Sequence, residues 1–243
     1  MIKFLILVFL IPVSLYAQRT PRSEFGFETG IDFRLIKKQR RFIFLAESRN
    51  RKELKSTDYH QLLLGSYYRL TKRFRMGVFL QAEQGLRWDE DWRRIDGQWK
   101  WQKVESRWDF ASVLDATYAD KINSKLLWEM KSRAYYFHSR EKLQLRLRPG
   151  LRYFVLKHGR PLWQIYSEVE SYIPVNYGDH FLYEYWAYLG ALYQWSDRFS
   201  MGPVLSFRER WFHDYEDFKD RTGEDYRSKF QSTYIGLSAV YAW

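Results

Sequence analysis

Five histidines, His60, His138, His158, His180 and His213, are spread along 243 residues that include no cysteine. None has a histidine at the HxxxH spacing that would make a metal-ligand pair, and thiolate metal sites, disulfides and cysteine nucleophiles are excluded outright. His138 is followed by Ser139, and a serine hydroxyl activated by an imidazole is the nucleophile of ester hydrolysis. On a strand, neighbouring residues face opposite ways, so these two cannot act on one another there. Exposed loop residues are the plainer reading. Two other stretches carry polar chemistry. Trp88, Trp92, Trp99 and Trp101 alternate with charges around Asp96–Gly97, a turn signal that suits a hairpin. Tyr215, Glu216, Asp217, Asp220, Glu224 and Asp225 supply oxygen ligands without a defined cation spacing, as a solvated acidic loop does. No cofactor is implied.

The elements that position these residues follow from periodicity. Aromatics make up 20% of the chain, Pro contributes only 6 residues, and the mean hydropathy of −0.55 excludes a bundle of membrane helices. In SEFGFETGIDFRLI, Phe25, Phe27, Thr29, Ile31, Phe33 and Leu35 share one face, and Glu24, Gly26, Glu28, Gly30, Asp32 and Arg34 share the other. KLQLRLRPGLRYFV and FRMGVFLQAEQ alternate in the same way. A helix would smear these faces around its axis. Eleven such segments can be drawn: 24–36, 41–49, 57–70, 74–86, 105–118, 124–137, 142–155, 162–173, 181–195, 199–212 and 229–243. They are longer than the about 5–6 residues of a common soluble strand and match the about 9–11 tilted residues that cross a bilayer.

Gap lengths alternate too. Short turns fall at Thr71–Arg73, Ala119–Asn123, Leu156–Pro161 and Ser196–Arg198. Longer loops fall at 50–56, 87–104, 174–180 and 213–228, with a shorter one at 138–141. This is the arrangement of an antiparallel up-and-down transmembrane β-barrel of about 10–12 strands. Beside the short turns, Tyr68, Phe74, Tyr118, Tyr153, Trp163, Trp195, Phe199 and Trp243 lie on the apolar face, as an inner interfacial girdle would. Trp108, Tyr136, Tyr183 and Trp211 stand near the loop ends as the outer girdle. An even strand number would put both termini on one side, whereas eleven segments leave the first unplaced. Either it pairs while the preceding chain threads inward, or a further strand hides in 87–104.

The opposite face is charged. Aligning apolar with apolar positions across the short turns sets Glu28 against Arg49, Asp109 against Arg133, Arg148 against Glu170 and Glu184 against Arg210. Arg34, Arg75, Arg107, Arg146, Arg152, Tyr166, Trp186 and Tyr188 add long inward side chains, which fill a narrow barrel rather than leave a wide channel.

MIKFLILVFLIPVSLYAQ has a short positive start, an apolar stretch too short for a comfortable membrane helix, and Ala17 before Gln18. It reads as a signal peptide, residues 1–17, cleaved on export. The net charge is +11. In an exported chain this fits anionic lipid headgroups and lipopolysaccharide phosphates rather than nucleic acid. The final segment alternates and ends on Trp243, which resembles the C-terminal signal read by the barrel-assembly machinery of bacterial outer membranes.

The signal segment, FGFETGIDFRL, the paired Arg/Glu-bearing strands, LRLRPGLRYF and the aromatic end occur in an order that resembles the bacterial barrel family catalogued as domain of unknown function 2490. The resemblance spans nearly all of the mature chain. It implies an outer-membrane barrel and brings no activity. The expectation is a non-enzymatic, porin-like or structural barrel with a filled or narrow lumen. The alternative is an outer-membrane lipid-modifying enzyme of the phospholipase or lipid A deacylase type, although the H-x-S-N-G arrangement of such phospholipases is absent.

Overall fold

A ribbon with one apolar and one polar face leaves open hydrogen-bonding edges unless the sheet closes on itself. The computed structural model describes residues 22–37, 40–51, 57–85, 90–95, 98–103, 108–139, 141–176, 184–213 and 227–243. The segment 1–17, Trp88, Arg107, His180, Tyr183 and the acidic run from Tyr215 to Asp225 lie outside them, as do the side chains of Trp92, Trp99, Trp101, Arg210, Trp211 and His213. Among the described residues the strands are β1 (Arg22–Lys37), β2 (Arg40–Arg51), β3 (Thr57–Arg69), β4 (Phe74–Gly85), β5 (Glu90–Ile95), β6 (Gln98–Lys103), β7 (Asp109–Lys121), β8 (Leu126–Phe137), β9 (Lys142–Lys157), β10 (Arg160–Pro174), β11 (Glu184–Gln194), β12 (Phe199–His213) and β13 (Arg227–Ala242).

The fold is all-β. Eleven strands close a barrel in the order β1-β13-β12-β11-β10-β9-β8-β7-β4-β3-β2, while β5 and β6 pair only with each other. Among the described residues, the β5–β6 pair therefore adds no strand to the wall. An odd ring of up-and-down strands forces one parallel contact, and here it is β1 against β13, with Arg22 opposite Phe230 and Arg34 opposite Ala242. β1 thus starts at the long-loop rim and runs, like β13, toward the short-turn rim. The last residue is held there: Trp243 N–H donates to Arg34 O at 2.8 Å, and the Arg198 guanidinium lies 5.8 Å from its ring.

Each short turn has a local chemical cause. Thr71 Oγ1 accepts the N–H groups of Arg73 and Phe74 at 3.2 and 2.9 Å. Asn123 Oδ1 accepts those of Lys125 and Leu126 at 2.8 and 2.9 Å. Ser196 Oγ accepts those of Arg198 and Phe199 at 3.4 and 3.1 Å. These are side-chain mimics of a backbone turn. Between β9 and β10, His158 and Gly159 both have positive φ, 51° and 78°, the requirement of a two-residue hairpin loop whose twist matches its strands.

The Asn123 turn corrects one expectation. Because it sits at 122–125 rather than 119–123, β7 continues to Lys121 and Asp115 lies opposite Arg133. Asp109 is not Arg133's partner; it lies opposite Glu83 on β4. The shift is an even number of residues, so every side chain kept its face.

The faces are inverted relative to a water-soluble protein. Outward, Leu80 is 66%, Leu114 60% and Ile31 59% exposed; inward, Asp115 is 2%, Glu83 1% and Glu184 0% exposed. Rings inside sit close against glycines directly across the ladder: Phe79 faces Gly65, Tyr67 faces Gly77, and Tyr166 faces Gly190. A Cβ on Gly190 would run into the Tyr166 ring. The interior thus holds two aromatic patches, one around Tyr67, Phe79, Tyr135 and Phe137, the other around Tyr172, Trp186, Tyr188 and Tyr234.

Outside, the aromatics chosen from the sequence gather along the short-turn rim. Phe74 is opposite Tyr118, and Tyr118 meets Trp128 edge-on at 5.7 Å. Trp163, Tyr193 and Trp195 follow one another edge-on at 5.0 Å and 5.0 Å. Phe199 is opposite Tyr241, which stacks on Phe33 at 5.3 Å. Tyr68 and Tyr153 are exposed on the same surface. At the other rim Trp108 and Tyr136 are exposed as well.

Candidate functional site

The lumen is the site that the alternation builds, since the strands of the barrel turn their polar sets inward. Around the seam, Glu28 and Arg49 are opposite one another with Oε2 and Nε 3.4 Å apart. Ser206 Oγ donates to the same carboxylate at 2.7 Å. The Arg49 guanidinium lies 4.1 Å from the Trp186 ring centroid and the Arg208 guanidinium 5.3 Å from it. Arg49 on β2 and Trp186 on β11 are not neighbours in the sheet, so this contact reaches across the lumen. Trp186 Nε1 donates to Glu184 Oε1 at 2.5 Å, and Arg208 Nε donates to that oxygen at 3.1 Å. Glu184 stands opposite Arg210 in the ladder, but its described ion pair is with Arg208, two residues along the same face; the side chain of Arg210 is outside the described residues.

A second network circles β4, β8, β9 and β10. Glu129 accepts from Arg75 at 3.0 Å and Arg152 at 3.3 Å. Arg152 also donates to Glu168 at 2.6 Å, and Arg148 pairs with the other oxygen of Glu168. The register on either side, Glu168 to Gly150 and Ser171 to Leu147, keeps Arg148 opposite Glu170, as aligned from the sequence. The salt bridge nevertheless goes to Glu168, because Glu170 is engaged by the Tyr172 hydroxyl at 3.0 Å and Gly150 leaves space beside Glu168. Arg148 and Arg146 also lie over rings, the former 4.7 Å from Tyr188 and the latter 3.7 Å from Tyr135.

The third cluster centres on Asp115. Its carboxylate accepts from Arg133 Nε at 2.6 Å, Tyr67 OH at 2.7 Å and Thr117 Oγ1 at 2.7 Å. A carboxylate with three donors, one of them a guanidinium, is a satisfied buried charge. Asp109, at the long-loop end, accepts instead from Ser139 Oγ at 2.5 Å. Between these clusters remains a cavity of about 330 Å³ lined by Glu47, Arg34, Lys131 and Tyr166 among others. Chemically the interior is a lattice of interleaved cations and carboxylates cushioned by rings around this cavity.

One pair was missed. Ser112 Oγ and His138 Nε2 are 2.9 Å apart, on the outer face near the long-loop rim. Ser112 lies opposite Tyr136, so His138 is one rung diagonal to it. The register that set Asp109 against Arg133 would have put Ser112 opposite Met130 instead, far from His138. Placing the turn by the Asn123 signal would have found the pair. Ser139, the residue weighed with His138 from the sequence, turns inward to Asp109.

No protein-family model matches this chain, and no curated protein is significantly similar to it.

Proposed function

We propose that this chain is an integral bacterial outer-membrane β-barrel of the domain of unknown function 2490 type, exported by a signal peptide spanning 1–17. In this reading its filled lumen admits small solutes at most. The observation that carries this reading is the inversion of faces: apolar side chains cover the outside of a closed cylinder, while carboxylates and guanidinium groups are buried within. In water so large an apolar surface drives association; in hydrocarbon it is the favoured state, because closure satisfies every backbone group. The aromatic rim suits a membrane interface, the positive charge suits lipopolysaccharide and phospholipid headgroups, and the strand ending in Trp243 suits recognition by the assembly machinery.

The test is fractionation. The chain should stay in urea-washed outer membranes, begin at Gln18 by mass spectrometry, and need detergent to leave the membrane. Recovery as a freely soluble protein overturns the reading. In planar bilayers the expected record is silent insertion or a conductance well below that of an open porin.

A second reading, a lipid-ester hydrolase, is favoured by the Ser112–His138 hydrogen bond on the membrane-facing side. The described contacts give His138 no carboxylate to orient it, which a serine nucleophile's base ordinarily has. Labelling by a fluorophosphonate that vanishes in Ser112→Ala, together with altered envelope lipids on overproduction, would establish it; an unlabelled chain and an unchanged lipid profile reject it.

A further inference from the structure

Charge is not spread evenly around the short-turn rim. Residues 40–44 and 64–80, the rim ends of β2, β3 and β4, contain Arg40, Arg41, Arg69, Lys72, Arg73 and Arg75 and no carboxylate. The turns farther round the rim are mixed, with Asp120 and Asp197 among their cations, and Asp197 lies 3.7 Å from Arg160. β3 pairs with both β2 and β4, so the two basic ends are adjacent. Arg69 stands directly opposite Arg75, an arrangement that like charges across a ladder make unfavourable unless something neutralises it.

Neighbouring acids neutralise only part of the set. Arg75 reaches Glu129 at 3.0 Å and Arg73 reaches Asp120 at 3.1 Å. Among the described residues no carboxylate lies within the 4.0 Å ion-pair distance of Arg41, Arg69 or Lys72. These three, with Arg73 and Arg75, line one hollow of about 60 Å³ whose other walls include Thr71, Thr117 and the Tyr67 ring but no acid. At about 10–15 Å³ per water-sized position the hollow holds roughly four to six such positions, the scale of a tetrahedral oxyanion. Guanidinium groups are planar forks that bind phosphate oxygens in pairs.

We propose that this hollow, between Arg41, Arg69 and Lys72 at the short-turn rim, is a binding site for a phosphate group. The group is either that of a soluble phosphorylated solute or that of an anionic lipid headgroup at the interface beside Tyr68 and Phe74. Bound phosphate supplies the negative charge that Arg69, opposite Arg75, lacks. The site goes beyond the lumen and its narrow passage, and it does not depend on which of them the barrel serves.

The test uses the full mature chain folded in a zwitterionic detergent, titrated with pyrophosphate, and in parallel reconstituted in phosphatidylcholine vesicles with or without phosphatidylglycerol. Thermal unfolding reads both arms. Pyrophosphate should raise the unfolding midpoint, and Arg41→Gln/Arg69→Gln should weaken its apparent affinity by ten-fold or more; removing charged hydrogen bonds costs on that order. Arg160→Gln, on the mixed part of the rim, should leave it unchanged. Without ligand the double variant should unfold no earlier than the parent, since it removes a like-charge contact, so loss of binding will not reflect loss of folding. A response to pyrophosphate assigns a soluble ligand; a response to phosphatidylglycerol alone assigns a lipid headgroup. No response to either, or one that the double variant retains at full strength, overturns the proposal.

Discussion

Leu114 and Asp115 are consecutive on β7 and point to opposite sides of the same wall, the first 60% exposed and the second 2%. Leu114 is flanked outside by other apolar side chains, Val78 and Ala134, on the neighbouring strands. Asp115 is held by three named donors within 2.7 Å. The outer position asks only for hydrocarbon character, whereas the inner one asks for a particular atom in a particular place. The two faces should therefore fail differently: the inner when a partner is lost, the outer when a charge is introduced.

The largest effect is expected inside. Asp115→Leu removes the acceptor and leaves the Arg133 guanidinium buried beside Tyr67 and Tyr135. Breaking a buried pair in this one-sided way costs about 3–5 kcal/mol, and urea unfolding of the vesicle-inserted barrel should show a loss of that size. Changing Arg133→Met at the same time should restore much of it, because an apolar pair of similar volume leaves no orphan charge. If Asp115→Leu alone is neutral, the lumen is wet enough to solvate Arg133 and the contrast between the faces disappears.

Next comes the outer neighbour. Leu114→Arg puts a cation on the surface assigned to lipid, at a cost of about 2–4 kcal/mol near the bilayer midplane. The same substitution at Tyr68, on the rim, should cost about 0–1 kcal/mol because interfacial water and headgroups can reach it. This depth dependence separates lipid contact from contact with another protein surface, for which rim and centre need not differ in that order.

The two faces were legible in the sequence to different depths. Assignment to a face needs only the two-residue period, and Glu28, Asp115, Glu170 and Glu184 all follow it. Opposition across a ladder also needs the turn, and it failed where the turn was misplaced: Asn123 closes β7–β8 two to three residues later than the apolar pattern suggested, which moved Arg133 from Asp109 to Asp115 and hid Ser112 from His138. Which opposed charges touch was beyond the pattern altogether. Arg148 turns aside to Glu168 because Tyr172 occupies Glu170 and Gly150 opens the way, and such diagonal choices depend on the third dimension of the lumen. The parallel β1–β13 seam joins the two ends of the sequence, so no local signal announces it beyond the odd count itself.

A smaller expected effect tests whether the inner face is also specified by shape. Tyr166 lies over Gly190 from the facing strand. Overpacking a fitted interior costs about 1–3 kcal/mol, so Gly190→Val should destabilise by that much, and Tyr166→Ala should make the same valine tolerable. The pair then shows coupling that neither substitution has alone. The outer counterpart, Leu80→Ile, exchanges one apolar side chain for another; against the lipid proposed here, which adapts to either, it should change the unfolding free energy by under about 0.5 kcal/mol, the ordinary scale for a surface substitution. A large effect there would mean that Leu80 fits a fixed surface, and the outer face would then have a protein partner rather than hydrocarbon against it.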